Sequence, residues 1–129
     1  MKAFSILSLF CLLSFSTQAA ESTNQQNMLA SALDEYGKVA GAWFLNQRCL
    51  YITGQELKAF EDNVANITVA LGNDIGNPQM LFMIQAGAKQ ATQEEKYQDC
   101  NGVAKDLFEY GRAHAKNWSD QIQQLQVSQ

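Results

Sequence analysis

The sequence predicts an all-α protein: an antiparallel four-helix bundle with up-down-up-down order, stapled by one disulfide and preceded by a cleaved signal peptide. Apolar residues recur at alternating steps of three and four in four segments, which is the pattern of amphipathic helices. No stretch shows the period-two alternation of a strand bounded by hairpin turns. Short connections between the four segments favour a simple antiparallel bundle.

The chain opens with the pattern of an export signal. Lys2 supplies one positive charge, an apolar run covers residues 4–15, and small residues follow up to Ala20. This layout predicts a signal peptide over residues 1–20, cleaved after Ala19 or Ala20, and a periplasmic or secreted bacterial protein. Residues 21–129 then form a single helical bundle domain, and we expect no membrane span in the mature chain.

The charge balance restricts the class of partner. Loss of Lys2 with the leader leaves eight basic against 13 acidic side chains, a net charge of −5. An acidic chain without a basic cluster suits neither nucleic acid nor anionic lipid. We therefore expect no nucleic-acid partner.

The first helix is predicted over residues 24–46. Gly37 and Gly41 lie four residues apart and reduce helix propensity, so we expect a neighbouring backbone to approach them closely. The predicted core residues of this helix are Leu29, Leu33, Tyr36, Ala40 and Trp43, with Met28, Val39 and Phe44 beside them.

The second helix is predicted to begin at Thr53. "TGQE" has the form of a capping box, in which the Thr53 hydroxyl and the Glu56 carboxylate each accept a backbone N–H of the other residue. The glycines and turn formers of "GNDIGN" end the helix. Its predicted core residues are Leu57, Phe60, Val64, Ile67 and Leu71.

The third helix is predicted to begin at "NPQ". Asn77 is the expected cap and Pro78 the first helical residue, where a missing N–H does no harm. The predicted buried face is broad: Met80, Leu81, Met83, Ile84, Gly87, Ala88 and Ala91.

The fourth helix is predicted to be the longest. A second capping-box pattern at Thr92 indicates a short turn, and Asp99 is the expected cap of the main helix. Its predicted core residues are Cys100, Val103, Leu107, Tyr110, His114, Trp118, Ile122 and Leu125.

Cys49 and Cys100 are expected to form a structural disulfide. In an up-down-up-down bundle, the loop after the first helix and the start of the fourth lie at the same end, which places the two cysteines together. The chain contains neither the C-x-x-C of a redox pair nor the C-x-x-C-H of covalent haem attachment. Cys49, Cys100 and His114 together would also make a poor zinc site.

His114 is the single histidine, and the simplest interpretation is a core residue with satisfied nitrogens. The alternative is a haem ligand. Met28 near the start of the first helix and His114 near the end of the last resemble the axial ligands of periplasmic four-helix b-type cytochromes. That resemblance covers two residues and the architecture alone, and the cysteine pair departs from it.

No nucleophile elbow, phosphate loop or metal-ligand triad is present, so we expect neither enzymatic activity nor a cofactor. The remaining function is binding to a protein partner, as an inhibitor or immunity protein does, or as an envelope-stress chaperone does. Surplus aromatic residues either widen the core or form an exposed patch. If a patch exists, Phe82 and Phe108 are its expected partner-binding residues.

Overall fold

The computed structural model describes the backbone of residues 14–128 and the side chains of residues 23–128. This part of the chain contains four α-helices and one short 3₁₀ helix, and it has no strand. The helices are α1 (Ser14–Cys49), α2 (Gly54–Ile75), α3 (Pro78–Ala91) and α4 (Val103–Val127), and the 3₁₀ helix is Glu95–Tyr97. The all-α fold of four packed helices with one disulfide is thereby confirmed.

The chain divides into two compact units, residues 1–33 and residues 34–129. In the first unit, the side chains of residues 23–31 are all exposed. Most of the predicted signal peptide, residues 1–13, lies outside the described residues. The helix expected over residues 24–46 is longer at both ends, since α1 covers Ser14–Cys49.

The helix α2 ends within the predicted stop at residues 72–77, at its second glycine, and the predicted start of α3 is confirmed. Gly76 ends α2 in the left-handed conformation, with φ of 69°, and its N–H donates to the Gly72 carbonyl at 2.9 Å. Glycine adopts this conformation without the steric cost that a Cβ brings. Asn77 then caps α3, because its Oδ1 accepts the Gln79 N–H at 3.2 Å, and Pro78 follows as the first helical residue.

The capping box predicted at the start of α2 is wrong. Thr53 is the N-cap residue, but its side chain makes no capping hydrogen bond. Glu56 instead pairs with Arg112 of α4, at 2.9 Å between Oε2 and the guanidinium. A tertiary ion pair has therefore replaced the local contact that the four-residue pattern favours.

The cap predicted for α4 is also wrong. The helix begins at Val103 after Gly102, while Asp99 Oδ1 accepts the Asn101 N–H at 2.9 Å in the preceding turn. Thr92 ends α3: it is buried, and its hydroxyl donates to the Lys89 carbonyl at 2.8 Å. The predicted short turn corresponds to the 3₁₀ helix.

The buried row of α4 is displaced by one position from the predicted one. The buried residues are Ala104, Phe108, Gly111, Ala115 and Ser119. The predicted row lies beside it, with Val103 50% and Tyr110 47% exposed. Most residues of the true row are small, which shows that α4 packs closely against its neighbours.

Gly111 explains why small residues occupy that row. A Cβ built at this position would overlap the Ala42 Cβ and lie 3.0 Å from the Lys38 carbonyl oxygen, both on α1. The close helix approach therefore occurs at Gly111. A Cβ at Gly37 or Gly41 would make only ordinary contacts of 3.5–3.6 Å with side chains, so the closest approach predicted there is wrong.

The predicted disulfide is present. Cys49 ends α1 and bonds to Cys100 just before α4, with a Cα–Cα distance of 5.7 Å. Arg48 donates to the carbonyls of Thr92, at 3.0 Å, and of Tyr97, so a charged side chain joins the same two chain segments. Covalent and hydrogen-bonded links therefore fix the end of α1 to the α3–α4 connection.

The chain reverses sharply after the disulfide. Leu50 has φ of 53°, a left-handed conformation that costs a non-glycine residue free energy. The buried Asn46 side chain holds the turn: its Nδ2 donates to the Ile52 carbonyl at 3.2 Å and its Oδ1 accepts the Ile52 N–H at 2.9 Å. The two hydrogen bonds direct the chain from α1 into α2.

Among the described residues, no helix combines the length and the apolar character that crossing a bilayer requires.

Candidate binding surface

Two exposed apolar side chains line a cavity between α2 and α3. Val69 is 64% and Phe82 67% exposed. We call these two residues and the adjoining cavity the α2–α3 face. The cavity has a volume of about 480 Å³ and is lined by Thr68, Val69, Gly72, Asn73, Gly76, Pro78, Leu81, Phe82 and Gln85.

The turn between the two helices creates the cavity. Gly76 and Pro78 reverse the chain within a few residues, so the end of α2 lies beside the start of α3. Leu81 is buried and contacts the position of Gly72, which anchors α3 against α2. The prediction of Met83 as a core residue is wrong, because its side chain is 74% exposed.

A chain of hydrogen bonds joins three helices at the edge of the cavity. Gln85 Nε2 donates to the Tyr36 hydroxyl at 2.6 Å, and that hydroxyl lies 3.0 Å from Thr68 Oγ1. Since Thr68 donates its own proton to the Val64 carbonyl at 2.7 Å, Tyr36 must donate to Thr68. The fully buried Tyr36 of α1 thus fixes two cavity-lining residues, one on each of α2 and α3.

The chemistry of the α2–α3 face suits binding better than catalysis. None of the nine lining residues is ionisable, so no acid, base or charged nucleophile lies at the cavity. Its polar groups are two amides and a hydroxyl, which orient a bound group by hydrogen bonds. An apolar pocket with a few polar groups is the common form of a binding site.

The two predicted partner-binding phenylalanines lie in different environments. Phe82 is exposed on the α2–α3 face, as the patch hypothesis requires. Phe108 is only 3% exposed; its ring stacks on Tyr51 at 4.6 Å between centroids and meets Phe60 edge-on at 6.0 Å. Its assignment to an exposed patch is wrong, because it belongs to the buried row of α4.

Val69 belongs to the α2–α3 face but is missing from the sequence prediction. It lies two positions before Leu71, outside the buried row of α2. A large apolar residue outside the predicted row, followed by a reversal such as "GNDIGN", is the signal that could have found it.

A second group of polar residues lies between α1 and α4. The Glu35 cluster consists of Glu35, Lys38, Tyr110 and His114. Glu35 Oε2 accepts the Tyr110 hydroxyl at 2.6 Å, and Oε1 accepts from Lys38 Nζ at 3.0 Å. Lys38 also pairs with Asp34 at 3.3 Å, so one ammonium group contacts two carboxylates.

The histidine belongs to this cluster and is not a core residue. The His114 side chain is 33% exposed, and Nε2 lies 3.4 Å from Glu35 Oε2. The imidazole stacks against Tyr110 on one side and lies 5.6 Å from Trp118 on the other. The prediction of a buried His114 is wrong, because the buried row of α4 passes through Ala115 instead.

The pairing of Met28 and His114 as haem ligands stays a prediction. Met28 is 72% exposed. The Glu35 carboxylate faces Nε2 of His114 at 3.4 Å. Within the described residues, no group of three or more His, Cys, Asp or Glu side chains could hold a metal ion.

The environment of Glu35 changes its ionisation. The hydrogen bond from Tyr110 is the largest influence and that from Lys38 the second, and together they lower the pKa of Glu35 from its ordinary value of 4.5. The same contact raises the pKa of Tyr110. The ionised carboxylate is therefore the form that the folded protein stabilises.

Glu35→Gln is expected to lower stability in a pH-dependent way. Because the folded-state pKa lies below 4.5, the carboxylate stabilises the protein above the unfolded value and loses this effect as pH falls through the folded value. We expect a loss of at most about 1 kcal/mol near neutral pH, since the cluster is open to solvent, and a smaller loss in acid. Urea unfolding of wild type and variant, at neutral pH and at acid pH, measures this difference in the free energy of unfolding.

Glu61→Gln is the control for this experiment. Glu61 is an exposed carboxylate of α2 with no hydrogen bond or ion pair among the described residues. It tests the loss of one negative charge without the loss of the cluster. An equal loss of stability for Glu35→Gln at neutral and acid pH would contradict the proposed role of its ionised form.

No protein-family model, curated protein or solved structure matches this chain.

Proposed function

We propose that this chain is an exported, non-catalytic bacterial protein that binds another protein through the α2–α3 face. One observation carries the proposal: Val69 and Phe82 are each more than 60% exposed and line a largely apolar, uncharged cavity. An exposed apolar patch with a polar rim is typical of a protein interaction site.

The composition of the α2–α3 face supports a protein as the bound molecule. Aromatic side chains are enriched at protein interfaces, and a few central anchors supply most of the binding free energy. Phe82 has the position of such an anchor, because it lines the cavity and is 67% exposed. The Gln85 and Asn73 amides can bind backbone groups of a partner without requiring it to be charged.

Export is supported by the leader pattern of residues 1–20 and by the Cys49–Cys100 disulfide, since such bonds persist in oxidising compartments. The proposed location is the periplasm or the exterior of a bacterium. Mass spectrometry of the protein isolated from cells tests this part. We expect a mature N-terminus at Ala20 or Glu21, and a chain that retains Met1 would contradict it.

A specific partner distinguishes an inhibitor or immunity protein from a chaperone. The first binds one folded protein with fixed stoichiometry, whereas a chaperone binds many unfolded chains. The hydrogen-bonded chain from Gln85 to Val64 fixes the cavity wall, and a fixed wall favours one complementary partner. We therefore propose the single-partner mode.

Phe82→Ala is expected to weaken partner binding about tenfold or more while the fold is retained. Disulfide-bonded mature protein is immobilised and exposed to envelope extract from the source bacterium. A captured protein is then purified, and its affinity for wild type and variant is measured by calorimetry. Truncation of an exposed ring changes no core contact, so the circular dichroism spectrum should not change.

Val103→Ala is the matched control, because Val103 is also exposed but lies on α4 and does not line the α2–α3 cavity. We expect it to bind like wild type. Equal affinities of wild type and Phe82→Ala for the captured protein would contradict binding through the α2–α3 face. Capture of many unfolded proteins and no folded one would favour the chaperone mode instead.

A further inference from the structure

The α2–α3 face carries a projecting group and a recess next to each other. Phe82 projects into solvent with 67% of its surface exposed, and the cavity of about 480 Å³ lies beside it. Part of the cavity wall is glycine backbone. A Cβ built at Gly76 would meet nothing within 4 Å, so the cavity is open on this side.

The distribution of charge limits where two copies of this chain could meet. The lining of the cavity between α2 and α4 includes two acidic and two basic residues, Glu56, Glu109, Arg112 and Lys116, and the groove beside α1 includes Asp34 and Lys38. Pairing of two copies at either place would take charged side chains out of water, which costs free energy. Of these three cavities, only the α2–α3 cavity has no ionisable lining residue.

A two-fold axis between two copies would place the projecting ring of each copy at the cavity of the other. In an isologous dimer the same surface of each copy meets the other, so one contact is always repeated. If Phe82 of one copy enters the cavity of the second, Phe82 of the second enters the cavity of the first. Both rings lose water contact against a cavity wall that has no ionisable side chain.

We propose that two copies of this chain pair through the α2–α3 face, with Phe82 of each copy in the cavity of the other. The contact involves one helix pair per copy, which is smaller than a standard stable interface, so the dimer is weak and depends on concentration. This inference uses the surface of the proposed function. A protein partner would compete with the second copy for it.

Analytical ultracentrifugation of the mature, disulfide-bonded protein over a concentration series tests the dimer. We expect the mass to rise from monomer to dimer with concentration. Phe82→Asp should raise the dimer dissociation constant about tenfold or more, because it removes the ring and places two like charges in the contact. Val69→Asp, on the other helix of the face, should act in the same direction.

Val103→Asp is the matched control, since it adds the same charge at an exposed apolar residue outside the face. It should dimerise like wild type, and circular dichroism should show an unchanged fold for all three variants. A wild-type monomer at every concentration would overturn the inference, as would a dimer that tolerates Phe82→Asp. If Val103→Asp weakened the dimer as much as Phe82→Asp does, the inference would also be overturned, because the added negative charge alone would then explain the weaker dimer.

The two proposals fail separately. If wild type is monomeric but captures a partner through Phe82, the dimer is excluded and the proposed function stands. If Phe82→Asp abolishes dimers while a captured partner binds with unchanged affinity, the dimer stands and partner binding through this face is excluded.

Discussion

Cys49→Ser is expected to lower the free energy of unfolding by about 4 kcal/mol, measured by urea unfolding. The disulfide joins residues 51 positions apart, and this closed loop restricts the unfolded chain far more than the folded one. Small domains are stable by about 5–15 kcal/mol, so the loss is a large part of the total. The folded structure should persist, because Arg48 and Tyr51 hydrogen bond across the same junction.

Cys100→Ser should have the same effect as Cys49→Ser, because either change removes one and the same cross-link. The double variant should then lose no more than either single variant. It also serves as the control for effects of a free thiol. Additive losses would contradict this account, and so would a thiol in the native protein that reacts with Ellman's reagent.

Phe108→Ala is expected to lower the free energy of unfolding by about 3–5 kcal/mol. The ring is almost fully buried, stacks on Tyr51 and meets Phe60 edge-on, so its removal leaves a cavity at the centre of the α2–α4 contact. Urea unfolding measures the change, and an unaltered slope of the transition would show that the loss is one of stability alone.

Phe82→Ala is the matched comparison, with the same change of side chain on an exposed site. We expect its stability to differ from wild type by about 0.5 kcal/mol or less. The two phenylalanines thus separate fold from binding: one variant loses stability, and the other loses partner affinity. Equal destabilisation by both changes would contradict the assignment of Phe82 to an open surface.

The local signals of the sequence predicted the helices well. Asn77 with Pro78 and the left-handed Gly76 depend on the backbone chemistry of a few adjacent residues, so they can be recognised without knowledge of the fold. The pairing of Cys49 with Cys100 followed from helix order, which the loop lengths determine. The capping box at Thr53 failed because Glu56 has a stronger partner, Arg112, that lies 56 positions away.

The candidate site was only half predictable. Phe82 and Phe108 are identical side chains on amphipathic helices, and hydrophobicity alone cannot tell which of the two is covered. The cavity depends on the relative position of α2 and α3, to which Val69 and Leu81 contribute from different helices. The Glu35 cluster likewise joins α1 to α4 over 75 positions between Glu35 and Tyr110.

By itself, the sequence determined the helical class, the helix order, a stop of α2 within residues 72–77 and the disulfide, since each follows from local backbone chemistry or from chain connectivity. Only the tertiary structure decided which row of α4 is buried. Two adjacent rows of α4 residues both repeat with the helical period. Hydrophobicity favours the row with the larger side chains, so that row was predicted to be buried. The backbone of α1 lies too close at Gly111 to admit even a Cβ, so the row of small residues faces the core. Because α4 is turned so that this row faces the core, Phe108 is buried and His114 lies beside Glu35 at the surface.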